Sequence, residues 1–396
     1  MSAATEQPAR LAEPASRAPI RILLGGDVML GRGIDQILPH SNDPAIHEHW
    51  REIDDARIFV DLAIRRNGPL PESRDAAYVW GDVLQEFTDA GTDLRLVNLE
   101  TSVSTSDDLW PDKMIRYRTH PDNIQSLRAA RLDCCSLANN HVLDWGYRGL
   151  QETIGRLRQA GIRTAGAGPD RREADAPAVI DIPGKGRVAV FAFATPSSGV
   201  PAAWAARPNR PGVSLIGLSE SFVAYIAALV RGVRPGADIV VASIHWGGNW
   251  GYEIPPHMRQ FAHRLIDEAG IDMIHGHSSH HVKAIEVYRN RLILYGCGDL
   301  ISDYEGIPLH RSSWSASGAA KFLQFKSDLG LIYHAQLDAG SGALRSLDMT
   351  PTRIRQLRIN RADPDGVRSL EDILNRDGKS LGTRAVLEDG VLKLKW

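Results

Sequence analysis

Cysteine is scarce in this 396-residue chain: Cys134, Cys135 and Cys297 are the only three. Thiols so few and so scattered exclude a disulfide framework and a cysteine-built zinc site, and they fit a reducing compartment. An excess of one charge is also missing, since 46 basic side chains face 48 acidic ones. That balance leaves no electrostatic footprint for nucleic acid or for an anionic membrane surface. No apolar run approaches the roughly 18 residues of a membrane-spanning helix. The longest, "FVAYIAALV" at 222–230, reads as an ordinary helix segment. The opening "MSAATEQPARLAEPASRAPI" has no apolar signal core. Residues 1–19 are therefore expected to be a disordered lead-in, and the protein to be cytoplasmic. "GAGPD" at 166–170 lacks the spacing of a dinucleotide-binding turn and reads as a loop.

What the chain does have is enough apolar sequence, 43% of its residues, for one large core or two medium ones. Short Leu-rich or β-branched runs predict strands at 21–26, 94–100, 133–138, 238–244, 271–276 and 291–296. They lack clean alternation, as strands buried on both faces do. Helical patterns lie between them at 77–91, 123–131, 146–161 and 256–270, several closing on glycine. A hairpin is expected over 176–194, turning at Gly184-Lys185-Gly186. This alternation predicts a layered α/β catalytic domain over 20–350, with both sheet faces covered. Residues 351–396 read as an extension built of a helix (361–378) and a hairpin (383–396).

The polar residues fall at one end of each predicted strand. Asp27 follows the first, Asn98 and Glu100 close the second, and Asn139, Asn140 and His141 follow the third. His245 follows the fourth, and the fifth runs into "HGHSSHH", which holds His275, His277, His280 and His281. The sixth leads to Asp299. Open α/β sheets bind ligands beyond the carboxyl ends of their strands. Oxygen and nitrogen donors without thiolate suit Mn, Fe, Zn, Mg or Ca. Taken singly, Asp27 reads equally as a helix cap, Asn139-Asn140 as a turn, and His245 as a packed core histidine. Asp144, Asp299 and Asp303 are placed to orient imidazoles as supporting acceptors. Trp246 and Trp250, in "HWGGNWGYE", read either as walls of a substrate cleft or as core filling.

The stretches "GGDVMLGRGID", "VNLETSVS", "SLANNHVLDWGYRGLQET", "SIHWGGNWGYE" and "HGHSSHHVKAIEVYRNRLILYGCGDLISDYEGI" together resemble the CapA family. That family is named for poly-γ-glutamate capsule synthesis and resembles a branch of the calcineurin-like metallophosphoesterases. The likeness runs from about residue 20 to residue 335. It implies a four-layer α/β/β/α sandwich with one or two divalent metal ions at the edge of the paired sheets. Carried over by position, Asp27 stands at the first-motif aspartate and Glu100 at the bridging acidic position. Asn140 and His141 match the Asn-His motif, His245 the isolated histidine ligand, and His277 and His280 the closing Gly-His motif. The implied ligand set is thus Asp27, Glu100, Asn140, His245, His277 and His280, with His275 and His281 in support.

The chain also departs from the superfamily pattern. Val28 and Met29 replace the end of an Asp-x-His motif, Asn98-Leu99-Glu100 replaces Gly-Asp, and "GHSSH" carries an extra serine. These changes point to a single metal or two unequal ones. "DYEGIPLH" resembles a stretch that ends in histidine in related proteins, so His310 reads either as a proton carrier alongside Asp27 and His141 or as a surface loop histidine. The segment "RSSWSASGAAKFLQF" (311–325) is expected to be a substrate lid. The resemblance implies metal-assisted hydrolytic or acid/base chemistry on a peptide or glutamate-polymer substrate. It leaves two alternatives: a peptide epimerase of lasso-peptide tailoring that uses Asp27 and His310 on opposite faces of one carbon, and a non-catalytic, metal-stabilised assembly factor for capsule synthesis.

Overall fold

A computed structural model describes residues 17–48, 53–89, 91–307 and 325–396. Its first sheet begins with β1 (Ile20–Val28), β2 (Leu94–Leu99), β3 (Cys134–Ser136) and β4 (Arg163–Ala165). A second sheet is formed by β5 (Ala178–Ile182), β6 (Gly186–Ala194), β7 (Ile239–His245), β8 (Met273–His277), β9 (Ile285–Tyr288) and β10 (Arg291–Leu294). The chain then returns to the first sheet with β11 (Asp299–Ile301), β12 (Leu329–Leu337), β13 (Leu344–Ile354), β14 (Arg384–Glu388) and β15 (Val391–Lys395). The first sheet runs β14-β15-β13-β12-β1-β2-β3-β4, with β11 also paired to β1; the second runs β5-β6-β7-β8-β10-β9.

β1, β2, β3 and β4 are parallel, as are β6, β7, β8 and β10. Helices Gly146–Gln159, Glu220–Val233 and Pro256–Asp267 supply crossovers between consecutive parallel strands. Helices outside two stacked sheets give the four-layer α/β/β/α arrangement.

Alternation along the second sheet explains its near-continuous apolar sequence. Val188, Val190, Ala192, Ile239, Val241 and Met273 join the cluster they share with the first sheet. Their neighbours Phe191, Phe193, Val240, Ala242, Ile244 and Ile274 pack instead against Val223, Ile226, Phe261 and Leu265 of the covering helices. Ser243, His245, His275 and His277 share the parity of the inner face. A one-residue slip would push the three imidazoles into the helix-packed layer, so burial of each large apolar neighbour, about 1.5–3 kcal/mol, also holds the histidines in register. Trp246 has the opposite parity and fills the helix-packed cluster, its Nε1 donating to the Tyr295 carbonyl at 3.0 Å. It is core filling and lines no cleft.

Other local differences have local causes. The predicted helix over 77–91 is a 3-10 turn (Tyr78–Val83) and a short helix (Leu84–Thr88), broken at Gly81, whose φ is 48°. A Cβ there would lie 2.0 Å from the Ile359 carbonyl oxygen, so close backbone approach outweighs helical periodicity. Pro121–Asn123 is likewise a 3-10 turn ahead of a short helix, Ile124–Ala129. In "GAGPD", Ala167–Gly168 pairs with Gly212–Val213, and Asp170 caps the helix Arg171–Asp175. The C-terminal helix (Pro364–Gly378) leads into the β14–β15 hairpin, and β15 pairs with β13 at the edge of the first sheet. No helix among the described residues is long and apolar enough to cross a membrane.

Candidate metal centre

Register sets the site. In the first sheet Asp27 lies opposite Asn98 on β2 and Asp299 on β11; in the second, His245 lies opposite His277. The two sheets meet where His275 Nε2 donates to the Gly25 carbonyl at 2.9 Å. Gly26 permits the close approach of the segment leading into β11, because a Cβ there would lie 1.8 Å from the Gly298 carbonyl oxygen. The carboxyl ends of both parallel sets therefore converge.

Two groups of donors come within ligand distance of one another: Asp27, His245 and His277, and Asp27, His280 and Asp299. Asp27 belongs to both. Its Oδ1 accepts from Asn98 Nδ2 at 2.7 Å and its Oδ2 from the Ser278 backbone N–H at 3.2 Å. Ser278 holds φ at 103°, a region non-glycine residues rarely adopt.

A hydrogen-bond chain assigns the imidazole tautomers. His275 Nε2–H is committed to the Gly25 carbonyl, so its Nδ1 accepts from the Ser243 hydroxyl at 3.0 Å. Ser243 Oγ then accepts from His277 Nε2–H at 2.9 Å, which leaves the His277 Nδ1 lone pair bare. His245 Nε2–H points to Asn140 Oδ1 at 3.1 Å, which leaves its own Nδ1 bare. These two Nδ1 atoms face each other at 2.8 Å, with Asp27 Oδ1 3.8 Å from that of His277. Burial holds both rings well below the usual histidine range, so neither readily takes a proton to relieve the repulsion. Two lone pairs and a carboxylate on one point call for a cation.

The second group shows the same need. Asp299 Oδ1 pairs with His280 Nδ1 at 2.8 Å, while Asp299 Oδ2 is buried without a hydrogen-bond partner among the described residues. Burial alone would depress His280, but the Asp299 charge and hydrogen bond together with the Asp27 charge outweigh it and raise the imidazole above its ordinary value. Asp27 is pushed up to about 7 by burial and by Asp299. Glu100, whose Oε1 lies 3.7 Å from His245 Nε2 and 3.9 Å from His141 Nε2, is raised well above its normal range by burial and by the Asp27 and Asp299 charges.

His141 stands beside these groups and in neither. Its Nδ1 meets Asp144 Oδ2 at 2.6 Å, and its ring stacks on Tyr117 with centroids 4.0 Å apart. Burial lowers it to about 4, so the ring is neutral with its Nε2 lone pair turned towards Glu100. Lys113 Nζ reaches Asp144 Oδ1 at 2.6 Å and also the Asn140 carbonyl.

The structure thus gathers Asp27, Glu100, Asn140, His141, His245, His277 and His280 at one edge. His310 and residues 311–324 lie outside the described residues. Among the supporting assignments, Asp299 pairs with the His280 imidazole and is also a member of a donor group, whereas Asp303 pairs with Arg32, Nε to Oδ2 at 3.1 Å, instead of orienting an imidazole. His281 packs beneath Trp250 and Tyr252, its Nε2 accepting from the Gly251 N–H at 3.2 Å. Lys113, Tyr117 and Ser243 were not read from sequence. Ser243 alone carried a signal, being two residues before His245 on the same strand face.

Proton competition gives a pH expectation. Asp27 binds a cation only after losing a proton it holds up to about 7, and His280 must release one as well. Affinity should therefore rise with pH through neutrality and flatten above it, with proton release on binding measurable by calorimetry in buffers of different ionisation enthalpy. Apo-protein stability is a poorer readout. The raised Asp27 removes stability as pH climbs from 3.8 to about 7, whereas depressed histidines such as His141 remove it as pH falls from 6.5 towards 4. An affinity flat between pH 5.5 and 8 would rule out Asp27 as a ligand.

A profile of the family described as bacterial capsule synthesis protein PGA_cap matches residues 21–304. A probable polyglutamine synthesis accessory protein of Mycobacterium tuberculosis H37Rv is 45% identical over 369 residues, covering 93% of each chain. The Bacillus subtilis PGA biosynthesis protein CapA is 31% identical over 48% of each chain. The crystal structure of a hypothetical protein from Thermus thermophilus aligns with a TM-score of 0.41 and 12% identity, covering 84% of this chain and 98% of that one.

Proposed function

The chain belongs to the bacterial capsule synthesis protein PGA_cap family, and from that premise we propose that its sheet edge is a divalent-metal centre acting on a peptide or polyglutamate-type substrate. The chemistry we assign is metal-assisted acid/base or hydrolytic. One observation carries the reading: His245 Nδ1 and His277 Nδ1 converge at 2.8 Å beside Asp27, and the tautomers assigned from their other hydrogen bonds put a lone pair on each. The orphaned Asp299 Oδ2 supports a second, unequal position that shares Asp27. The substrate class is supported by the names of the M. tuberculosis and B. subtilis relatives.

A divalent ion held by Asp27, His245 and His277, or by Asp27, His280 and Asp299, would supply Lewis acidity at the sheet edge. The protein's own groups do the rest. Asn98 and the Ser278 N–H fix the Asp27 carboxylate, and Ser243 fixes His277. His141, anchored by Asp144, offers a neutral Nε2 that takes a proton at the site and returns it. Arg32, bound to Asp303 and lying 4.8 Å from the Tyr117 ring centroid, steadies the wall behind His141.

The test uses tag-free protein, stripped of metal and reloaded with Mn²⁺, Zn²⁺ or Ca²⁺, incubated with α- and γ-linked glutamyl peptides. Mass spectrometry in ordinary and deuterated water separates the reactions. New termini mean hydrolysis; deuterium gained on an intact peptide means Cα deprotonation. Metal-dependent conversion that stops with chelator is expected. Protein that binds no metal and converts no peptide would leave the reading without support.

A further inference from the structure

A second cluster of metal-ligating side chains lies outside the centre just described. His40, His120 and Asp122 bring one donor atom each within ligand distance of the others, at the surface. The His40 and His120 rings are stacked with centroids 5.7 Å apart and planes 24° from parallel. His120 Nδ1 accepts from the Asp122 backbone N–H at 3.2 Å and lies 3.8 Å from Asp122 Oδ2.

Their backbones are held by one buried carboxylate that touches nothing in the centre. Asp35 Oδ1 accepts from the His120 N–H at 2.6 Å, from Thr119 Oγ1 at 3.0 Å and from Asn123 Nδ2 at 3.1 Å. Asp35 Oδ2 accepts from the Asn42 N–H at 2.7 Å. Asn123 closes the ring, its Oδ1 accepting from the His40 N–H at 3.2 Å and its Nδ2 donating to the His40 carbonyl. The loop bearing His40 and the turn bearing His120 and Asp122 are thereby clamped together before any ligand arrives. Burial raises the Asp35 carboxyl, so this clamp is costly to keep. Preorganising ligands in this way lowers the entropy a cation must overcome.

We infer that His40, His120 and Asp122 form a separate surface site for a borderline divalent cation of the Zn²⁺ type, completed by water. Two imidazoles and one carboxylate are a common tetrahedral zinc set when a fourth position is left to solvent. The placement gives the site a structural purpose. Asp35 lies in the short helix Gly33–Ile37 that follows the Asp27 segment, and Thr119 pairs with Val103 just after Glu100. A cation there would tie together the two segments that leave the acidic residues of the centre.

The experiment is equilibrium dialysis of tag-free, full-length protein against Zn²⁺, with bound zinc counted by atomic emission. Wild type is expected to bind one zinc per chain more than the His40→Ala/His120→Ala double variant. Asp27→Asn should retain that extra equivalent, so failure of the centre and failure of this site read out separately. Asp122→Asn, a change at an exposed carboxylate, should weaken the outer zinc at least ~10-fold while leaving the circular dichroism spectrum unchanged. Equal zinc in wild type and the double variant, or an outer affinity indifferent to Asp122→Asn, would overturn the inference.

Discussion

Asp27→Asn is expected to empty both positions of the centre at once, whereas Asp299→Asn should empty one. The difference follows from geometry, since Asp27 is common to both donor groups and Asp299 belongs to only one. An amide keeps the shape but accepts from only one of Asn98 Nδ2 and the Ser278 N–H, and it brings no charge to offset the cation. Losing even a group that only supports a ligand costs roughly 10–100-fold in metal affinity, so the shared carboxylate should cost at least that at each position. Metal-dependent turnover should fall to background. Stability should move the other way. Asp27 holds its proton up to about 7 because the site disfavours a bare charge, so above that pH the metal-free Asp27→Asn protein should be more stable than metal-free wild type by a few kcal/mol. Metal content by mass spectrometry and urea melts at pH 8 provide both readings. Equal metal loss in the two variants would refute the sharing of Asp27, and a destabilised Asp27→Asn would refute the buried, cation-seeking charge.

His141→Gln should separate chemistry from metal. The imidazole lies outside both donor groups, so bound metal should be unchanged, while kcat for the metal-dependent reaction falls about 10²- to 10⁴-fold as a general acid/base is lost. Because burial lowers the ring to about 4, His141 is neutral at pH 7 and enters the reaction as a base. Asp144→Asn tests the arrangement more finely. It leaves a group of the same size at 2.6 Å from Nδ1 but withdraws the acceptor that selects the Nδ1–H tautomer. A smaller loss of kcat is expected, with a changed pH profile. Parallel loss of metal and activity in His141→Gln would make it a ligand, and near-normal kcat would remove it from the reaction.

The strands of the parallel core, the half-exposed edge strand β4 apart, were legible because burial on both faces leaves a compositional mark that needs no partner to be seen. The donors at their carboxyl ends were legible for the same reason, as each is adjacent in sequence to an apolar run. The long antiparallel strands β12 and β13 were not, because polar residues such as Gln336, Asp348 and Thr350 interrupt their apolar pattern. The helix expected at 77–91 failed at Gly81, where the constraint is a carbonyl from residue 359, far along the chain.

Sequence by itself determined which side chains stand at the strand ends and which of them share a face: His245 with Ser243, and His275 with His277. Alternation along a strand is a local property of the backbone, so spacing suffices to read it. Only the tertiary structure decided that Asp299 stands opposite Asp27 as a donor, that Asp303 answers Arg32, and that Lys113 and Tyr117 close on Asp144 and His141. Those pairings join residues tens to hundreds of positions apart, and they rest on β11 docking beside β1 and on loops folding over the sheet edge. Distances of that kind are set by how elements pack, and packing leaves no spacing in the chain from which to read them.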